Sequence, residues 1–430
     1  MSRKTAYLII DSFSFWLSFA VLALWRWQIY PGSELFAKHL LPFLLIFVLT
    51  IFIFYSMGLY ENLSNSDWLV SGSIGLMVSF LTATAFFYFY SRFNPMITPR
   101  GSLVLFWLIF CFFSFNLRAL VESLVYKKTK QIIGLIKNPK NSLIINSLNQ
   151  ASQLYQFSIL EIPETFLENQ NSLEEMTKNQ SIKTIIGFSE ALSLSQLKSL
   201  SNLNLEFYSL GAFFEQKLKK LNLEIAEKTW LLSSIRKQPL IREITERGLA
   251  LALILIALPV WLAIILLGKV FSPGPIFFKQ KRIGKNGKIF QLYKFRTMVK
   301  DAEKAGAQWA KTDDPRITSW GKIIRQTHLD ELPQLINIFK GEMSFIGPRP
   351  ERPEFVKELE EKIQFYSLRH LIKPGLTGWA QINYPYGASI EDAKNKLEFD
   401  LFYLKNRSLF LDLKILIKTF RFLFINLSRA

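Results

Sequence analysis

Cysteine and histidine are nearly absent from this sequence. Cys111 is the only cysteine in 430 residues, so the chain forms no disulfide within itself and builds no cysteine-ligated zinc site. It lies in an apolar run, where a free cysteine behaves as a small hydrophobe. His39, His328 and His370 stand far apart, without the spacing of metal ligands. Acidic residues are scarce as well: 34 Asp and Glu face 52 Lys and Arg, a formal charge of +18. Half of the residues are hydrophobic and 39 are Phe. A greasy but basic chain reads as a protein held in lipid whose wet surfaces meet something anionic, whether acidic headgroups, phosphorylated substrates or nucleic acid. The basic residues cluster beside a membrane segment and no nucleic-acid module is recognisable, which argues against the last of these.

Four apolar stretches, 6–25, 40–59, 68–90 and 102–120, each reach the roughly 20 residues that cross a bilayer. The first follows Arg3 and Lys4 but is too long for a signal peptide. It also contains Asp11 and lacks a small-residue cleavage site before Trp25, Arg26 and Trp27. Those tryptophans suit an interfacial belt. Arg3 and Lys4 before the first span, with Lys127, Lys128 and Lys130 after the fourth, predict that both ends are cytoplasmic. The loop 60–67, on that same side, carries no Lys or Arg. No ionisable pair that suggests a transport path is read in the spans; Asp11 stands alone, and the region reads as an anchor.

Between about 131 and 230 hydropathy falls, and short apolar runs at 131–136, 142–145, 158–162 and 183–186 alternate with helix-like segments such as 191–200. That alternation predicts a small α/β domain with a parallel sheet. A nucleotide-binding version needs a Gly-rich turn after its first strand. The equivalent stretch, Gly134-Leu135-Ile136-Lys137-Asn138-Pro139, has one glycine, so a structural or regulatory domain is expected.

A fifth apolar segment, 248–268, has Pro259 at its middle, where proline removes a backbone hydrogen bond and kinks a helix. Arg242 and Arg247 precede it, and eight Lys or Arg with no acidic residue come after it between Lys279 and Lys300. Positive charge on both flanks opposes ordinary crossing, and a helix that enters, breaks at Pro259 and returns to the same face is expected instead of a kinked span. Further on, Asp330 and Glu331 are placed at the start of an amphipathic helix with Leu332, Leu335, Ile336 and Phe339 on its apolar side. Pro333 fits its first turn. Acidic residues there are often mere partners of the helix dipole. Here Arg325 lies one turn upstream, Arg349 sits in a Pro-flanked turn, and Lys294 and Arg296 belong to the basic stretch. Carboxylates facing several cations suit a metal-assisted phosphate site, with Mg²⁺ and arginines neutralising a diphosphate.

Five patterns occur in order: 272–284 (Ser-Pro-Gly-Pro-Ile-Phe-Phe-Lys-Gln-Lys-Arg-Ile-Gly), 293–298 (Tyr-Lys-Phe-Arg-Thr-Met), 329–335 (Leu-Asp-Glu-Leu-Pro-Gln-Leu), 347–350 (Gly-Pro-Arg-Pro) and 373–381 (Lys-Pro-Gly-Leu-Thr-Gly-Trp-Ala-Gln). Together, over roughly 237–423, they resemble the bacterial sugar transferases known as polyprenyl-phosphate hexose-1-phosphate transferases. The arrangement ahead of them resembles the long members of that family. The resemblance implies a multidomain membrane protein: an α-helical transmembrane bundle (1–126), a small degenerate Rossmann-like α/β domain (127–232), and a mainly α membrane-associated catalytic domain (237–430) with a re-entrant helix at about 243–268.

By the same resemblance, Asp330 is the nucleophile on the sugar-bearing phosphate of a UDP-sugar. UMP leaves, and polyprenyl phosphate then takes the sugar-phosphate from a phosphoryl-aspartate. Glu331 is assigned to Mg²⁺, Arg296, Arg325, Arg349 and Lys294 to phosphates, Asp400 to the site, and Pro259 to the helix break. Many relatives carry a small hydroxyl residue before that proline, where this chain has Leu258. The resemblance also implies placement in the bacterial inner membrane, with the catalytic domain cytoplasmic and the product feeding exopolysaccharide, capsule or O-antigen synthesis. Polysaccharide-assembly proteins and a second copy of the chain are the candidate protein partners. The sugar is left open among glucose, galactose and N-acetylated amino sugars. Two other readings stand beside this one: a glycosyltransferase that moves only the sugar and releases UDP, and an idle scaffold for polysaccharide assembly. At the chain's end, Leu409, Leu413, Leu416, Ile417 and Phe420 recur at helical spacing, with Lys414, Lys418 and Arg421 on another side, as in a helix lying in the headgroup layer.

Overall fold

The structure, a computed structural model, describes residues 3–26, 28, 33–60, 65–93, 100–125, 131–136, 142–155, 157–163, 170–180, 182–187, 205–226, 239–271, 274–299, 302, 314–385, 387 and 389–429. The expected helix at 191–200, the lysines after the fourth span and part of the loop 60–67 lie outside them. The chain divides into two compact units, Met1–Lys128 with Leu416–Ala430, and Thr129–Ile415.

The first unit is built on helices α1 (Arg3–Val21), α2 (Glu34–Ser56), α3 (Asn65–Phe93) and α4 (Arg100–Val125). Its core is aromatic: Phe15 meets Phe106 edge-on at 4.9 Å, and Phe43 bridges Phe19 and Phe87. Four helical stretches among the described residues are long and apolar enough to cross a membrane: Lys4–Trp25, Lys38–Tyr55, Leu103–Val121 and Leu240–Phe271. This is a membrane protein. The expectation that Asp11 stands alone is corrected. Its carboxylate, fully buried, pairs with the Arg118 guanidinium of α4 and accepts from the Tyr60 hydroxyl (2.8 Å) and the Ser114 hydroxyl (2.7 Å). Arg118 also donates to the Leu59 carbonyl (3.1 Å) and lies over the Tyr7 ring. The sequence hides this pair because its members sit 107 residues apart.

In the second unit a four-stranded parallel sheet, ordered β2-β1-β3-β4, comprises β1 (Gln131–Ile136), β2 (Phe157–Ile162), β3 (Thr184–Gly187) and β4 (Glu206–Ser209). The run 142–145 is not a strand; it opens helix α5 (Ser142–Tyr155), whose Leu148 and Ala151 continue the apolar face at helical spacing into the sheet's core. Helix α6 (Gln170–Asn179) covers another part of that sheet through Leu173. Gly134 lies inside β1, opposite Leu160 and Ile185, rather than in a turn after it.

After β4, residues 218–226 dock on the C-terminal part of the same unit. Lys220 and Glu398 form an ion pair of 2.7 Å buried on both sides, the Glu398 carbonyl accepts from the Leu221 N–H, and the Lys219 carbonyl accepts from the Trp379 indole.

Helix α7 (Leu240–Phe271) is 32 residues long and contains Pro259 without ending there. One stripe of it is covered at intervals, with Ala250, Trp261 and Ile264 buried. Arg242 pairs with Asp412 (2.6 Å), Glu246 accepts from Ser344, and Ala250 and Ile254 pack on Phe290, Leu292 and Ile338. Trp261 and Ile264 pack on Phe295 and Ile324, and Phe271 stacks on Trp320. The other side of α7 exposes Leu255, Ile256, Leu262, Leu266 and Val270. Beyond α7 come the antiparallel pair β5 (Phe277–Ile283) and β6 (Ile289–Phe295), helices α8 (Ser319–Gln326), α9 (Gln334–Lys340) and α10 (Pro353–Lys362), and the short parallel pair β7 (Ser344–Ile346) and β8 (Gly375–Thr377). Helices α11 (Trp379–Asn383), α12 (Ile390–Asn406) and α13 (Leu409–Arg429) complete the chain. Leu409, Phe410 and Leu413 of α13 are exposed.

Candidate active site

Helix α8 begins on Thr318, whose hydroxyl accepts from the Gly321 N–H, and ends at Thr327. His328 then adopts a left-handed conformation (φ 54°), which turns the chain sharply. Asp330 and Glu331 come next, in a single 3₁₀ turn, Leu329–Glu331. The helix expected to carry them starts only at Gln334, with Pro333 as its N-cap, because the reversal at His328 leaves room for one tight turn first. Leu329 and Leu332, on either side of the acidic pair, pack into the cluster of Trp261, Ile264 and Phe295. Leu335 is buried as expected, whereas Phe339 is exposed.

Strand β6 brings the first cation. Asn337 of α9, fully buried, accepts from the Tyr293 N–H (3.1 Å) and donates to the Gln291 carbonyl (2.7 Å), which fixes α9 against β6. Lys294 consequently reaches Glu331 at 2.7 Å and Asp330 at 4.0 Å. The second cation comes from the Gly347–Pro350 turn, where Arg349 donates to the same Glu331 oxygen at 2.8 Å. That turn is bound to 373–378 along its backbone: Ser344 N–H donates to Pro374, Gly347 N–H to Thr377 and Gly375 N–H to Pro348. A side chain at Gly375 would run into the Gly347 backbone, so the two glycines permit this approach. Two of the five sequence patterns therefore act as one brace for Arg349.

Electrostatically the two carboxyls diverge. Burial pushes Asp330 above the usual aspartate range, against the pull of Lys294 and, further down, of Arg325 and His328. Burial acts on Glu331 in the same sense, but Arg349 and Lys294 overcome it and hold that carboxyl well below its ordinary value. Glu331 is thus a fixed anion, and Asp330 is a desolvated carboxylate with fewer direct partners.

Of the remaining expected residues, Arg325 lies near enough to Asp330 to act on its charge. Arg325, in the last turn of α8, donates its Nε to the Thr297 hydroxyl at 2.8 Å. Arg296 is placed over Gly274, so close that a Cβ there would meet its guanidinium. Asp400 stands one step back. Its Oδ2 accepts from Arg369 at 2.8 and 3.1 Å, and the same guanidinium reaches the Tyr366 hydroxyl (2.7 Å) and the Arg349 carbonyl (3.0 Å). Arg369 escapes sequence reasoning. No motif spacing marks it, and it works through a backbone carbonyl, which leaves no trace in sequence.

Glu331 and the neighbouring Asp330 are two hard carboxylate donors beside Lys294 and Arg349, and among the described residues no group of three or more acidic, histidine or cysteine side chains forms a ready-made metal site.

Residues 237–426 match the model of the family described as "Bacterial sugar transferase". Over 180 residues the chain is 46% identical to the UDP-N-acetylgalactosamine-undecaprenyl-phosphate N-acetylgalactosaminephosphotransferase of Aeromonas hydrophila, covering 41% of this chain and 43% of that protein. It is 42% identical over 183 residues to the UDP-glucose:undecaprenyl-phosphate glucose-1-phosphate transferase of Escherichia coli (strain K12), covering 42% and 39%. It thus matches about two fifths of the length of each of these relatives. The exopolysaccharide production protein PSS of Rhizobium leguminosarum bv. phaseoli is 40% identical over 176 residues, which are 40% of this chain but 88% of that protein. With the patterns at 293–298, 329–335, 347–350 and 373–381 meeting at one acidic pair and a relative matched over most of its length, this chain belongs to the bacterial sugar transferase family.

Proposed function

We propose that this protein transfers a sugar-1-phosphate from a UDP-sugar to polyprenyl phosphate, releasing UMP and forming a polyprenyl-diphospho-sugar, as a membrane step in bacterial polysaccharide synthesis. The observation that carries this reading is the buried Asp330 beside Glu331, Lys294 and Arg349, in a domain packed along a membrane helix. In the first half-reaction the Asp330 carboxylate attacks the sugar-bearing phosphorus; the new P–O bond forms as the bond to the UMP oxygen breaks. In the second, a polyprenyl phosphate oxygen attacks that phosphorus and the carboxylate returns. Glu331, with Asp330 beside it, would hold Mg²⁺ against the diphosphate; when bound, the ion supplies charge neutralisation. Lys294 and Arg349 orient Glu331 and face the phosphates, and Arg325 adds positive charge behind Asp330. Asp330 must be ionised to attack, so its raised pKa predicts activity that declines on the acid side.

The relatives' names differ in their sugar, glucose in one and N-acetylgalactosamine in another, and the donor here is a UDP-hexose or UDP-N-acetylhexosamine. Helix α7 is read as re-entrant, lying in the inner membrane with the catalytic domain on the cytoplasmic face. Straight, its 32 residues would be about 48 Å long against roughly 30 Å of hydrocarbon. Residues of the catalytic domain touch it near both ends, at Arg242 and at Phe271, which supports a helix whose ends lie on one side of the bilayer.

Purified protein incubated with Mg²⁺, polyprenyl phosphate and a panel of UDP-sugars should release UMP with one or two of them. Asp330→Asn should lower turnover at least about 10³-fold, the scale of a lost nucleophile. Release of UDP would make the protein a glycosyltransferase, and near-normal turnover of Asp330→Asn would remove the covalent step.

A further inference from the structure

We infer that Arg282 is a positioning residue for the transfer reaction: from strand β5 it fixes the main chain that aims Arg349 at Glu331. This rests on the phosphosugar-transfer reading and adds to it a role for the cation at the end of the 272–284 pattern. The turn that carries Arg349 offers few donors. Pro348 and Pro350 have no N–H, so its main chain is held chiefly through carbonyls. Four of these in a row are occupied. The Pro348 carbonyl accepts from the Gly375 N–H (2.9 Å) and the Arg349 carbonyl from Arg369 (3.0 Å). The Pro350 carbonyl accepts from Arg282 Nη1 (2.8 Å) and the Glu351 carbonyl from the Ile283 N–H (2.9 Å). Strand β5 thus supplies both fastenings that follow Arg349.

The Arg349 side chain is 43% exposed, so packing does little to direct it. Its aim comes from the main chain behind it and from the Glu331 contact ahead, at 2.8 Å. Arg282 is shaped for the first of these tasks. Along β5 exposed and partly covered residues alternate: Lys279 and Lys281 face solvent, whereas Gln280 and Arg282 share the opposite face. Arg282 Nη2 donates to Gln280 Oε1 at 2.6 Å, and Nη1, on the Pro350 carbonyl, also lies 3.5 Å from Glu351 Oε2. One planar fork therefore spans acceptors on two separate segments. A lysine ammonium, a single point of charge on a flexible stem, does not reproduce that span. A bond from a guanidinium is also stronger than one between neutral groups, and two of the four carbonyls receive one.

The test is a double-mutant cycle on the full-length protein, read as UMP release from the UDP-sugar. Arg282→Lys should lower kcat/KM for the donor about 10- to 100-fold, the scale of a misplaced phosphate-facing group. Lys281→Gln, which removes the adjacent exposed charge, should stay within about twofold of wild type. In an Arg349→Lys background Arg282→Lys should cost no more than about twofold further, because nothing is left for it to position. Losses that multiply in the double variant give Arg282 a role apart from Arg349 and overturn the inference, as does normal turnover of Arg282→Lys. If Arg282→Lys does not fold, Gln280→Met, which removes one acceptor of the fork, takes its place in the same cycle. A second readout is independent of turnover. Modification of Arg349 by phenylglyoxal, followed by mass spectrometry, should be faster in Arg282→Lys as the Glu331 contact loosens, and an unchanged rate overturns the assignment. Should wild type release no UMP with any donor, the transfer reading falls, and the modification rate still decides whether Arg282 aims Arg349.

Discussion

Asp400 illustrates how far a single residue can act from the chemistry it serves. Its carboxylate touches Arg369, Arg369 holds the Arg349 carbonyl, and the Arg349 side chain holds Glu331. In the proposed reaction Asp400 is therefore placed as a positioning residue. Burial pushes its carboxyl from the ordinary 3.8 up to about 6, against the opposing pull of Arg369 and Lys396 and with Glu351 adding to the rise. Below about pH 6 the carboxyl takes a proton and loosens its grip on Arg369, so kcat/KM should fall through an inflection there. Asp400→Asn should lack that inflection and remain about 10- to 100-fold less active at neutral pH. The folding linkage has the opposite sign. A pKa raised on folding favours the protonated native state, so this group's stabilisation is complete below pH 3.8 and is lost as pH rises through about 6. Acid should thus stabilise this locus while it inactivates the enzyme. Parallel Tm and pH–rate measurements on wild type and Asp400→Asn check both signs. Sequence alone pointed to Asp330, Glu331, Lys294 and Arg349 because motif and charge converge on them. It could not separate Asp400's role from theirs, since the link runs through a main-chain oxygen.

Elements were legible where one pattern dominated. The runs at 131–136, 158–162 and 183–186 became β1, β2 and β3 because each is a short apolar stretch between polar segments. The run at 142–145 was misleading: its Leu143, Ile144 and Ile145 read as a strand, and only Leu148 and Ala151 beyond them reveal the helical face. Strand β4 was missed because it is four residues long and none of them is buried. Helix α12 carries an energetic consequence of its own. Buried along most of its length, it receives Lys220 on Glu398 and Arg369 on Asp400, two residues apart. Breaking a buried ion pair from one side leaves an uncompensated charge and costs about 3–5 kcal/mol. Lys220→Met should accordingly lower stability by that order. The double change Lys220→Met with Glu398→Leu should recover most of it, since a buried pair and a packed apolar replacement differ little. Thermal unfolding of the two variants in one detergent decides this. A double variant no better than the single one would assign the loss to packing.

On the scale of the whole molecule, composition announced lipid before any motif did, and the positive flanks of α7 already opposed a simple crossing. Which side of α7 is covered was beyond reach of the sequence, because apolar residues surround that helix and no amphipathic stripe marks its covered side. In a Cys111→Ser background, cysteines introduced at Leu240 and Lys288 should both resist a membrane-impermeant reagent added from outside intact cells. Labelling at Lys288 alone would make α7 a full span. The Asp11–Arg118 pair bears on how the chain enters the membrane at all. A lone aspartate in the middle of a membrane helix disfavours insertion by about 2.5–3.5 kcal/mol. Its partner is translated 107 residues later, roughly 5–20 s at ordinary elongation rates. During that interval α1 has no counter-charge, and it should remain at the translocation machinery until α4 emerges to complete the pair. Chains truncated before Arg118 should therefore integrate α1 less fully than chains that include it, and Asp11→Leu should abolish the difference; equal integration of both would show that the first helix commits to the bilayer by itself.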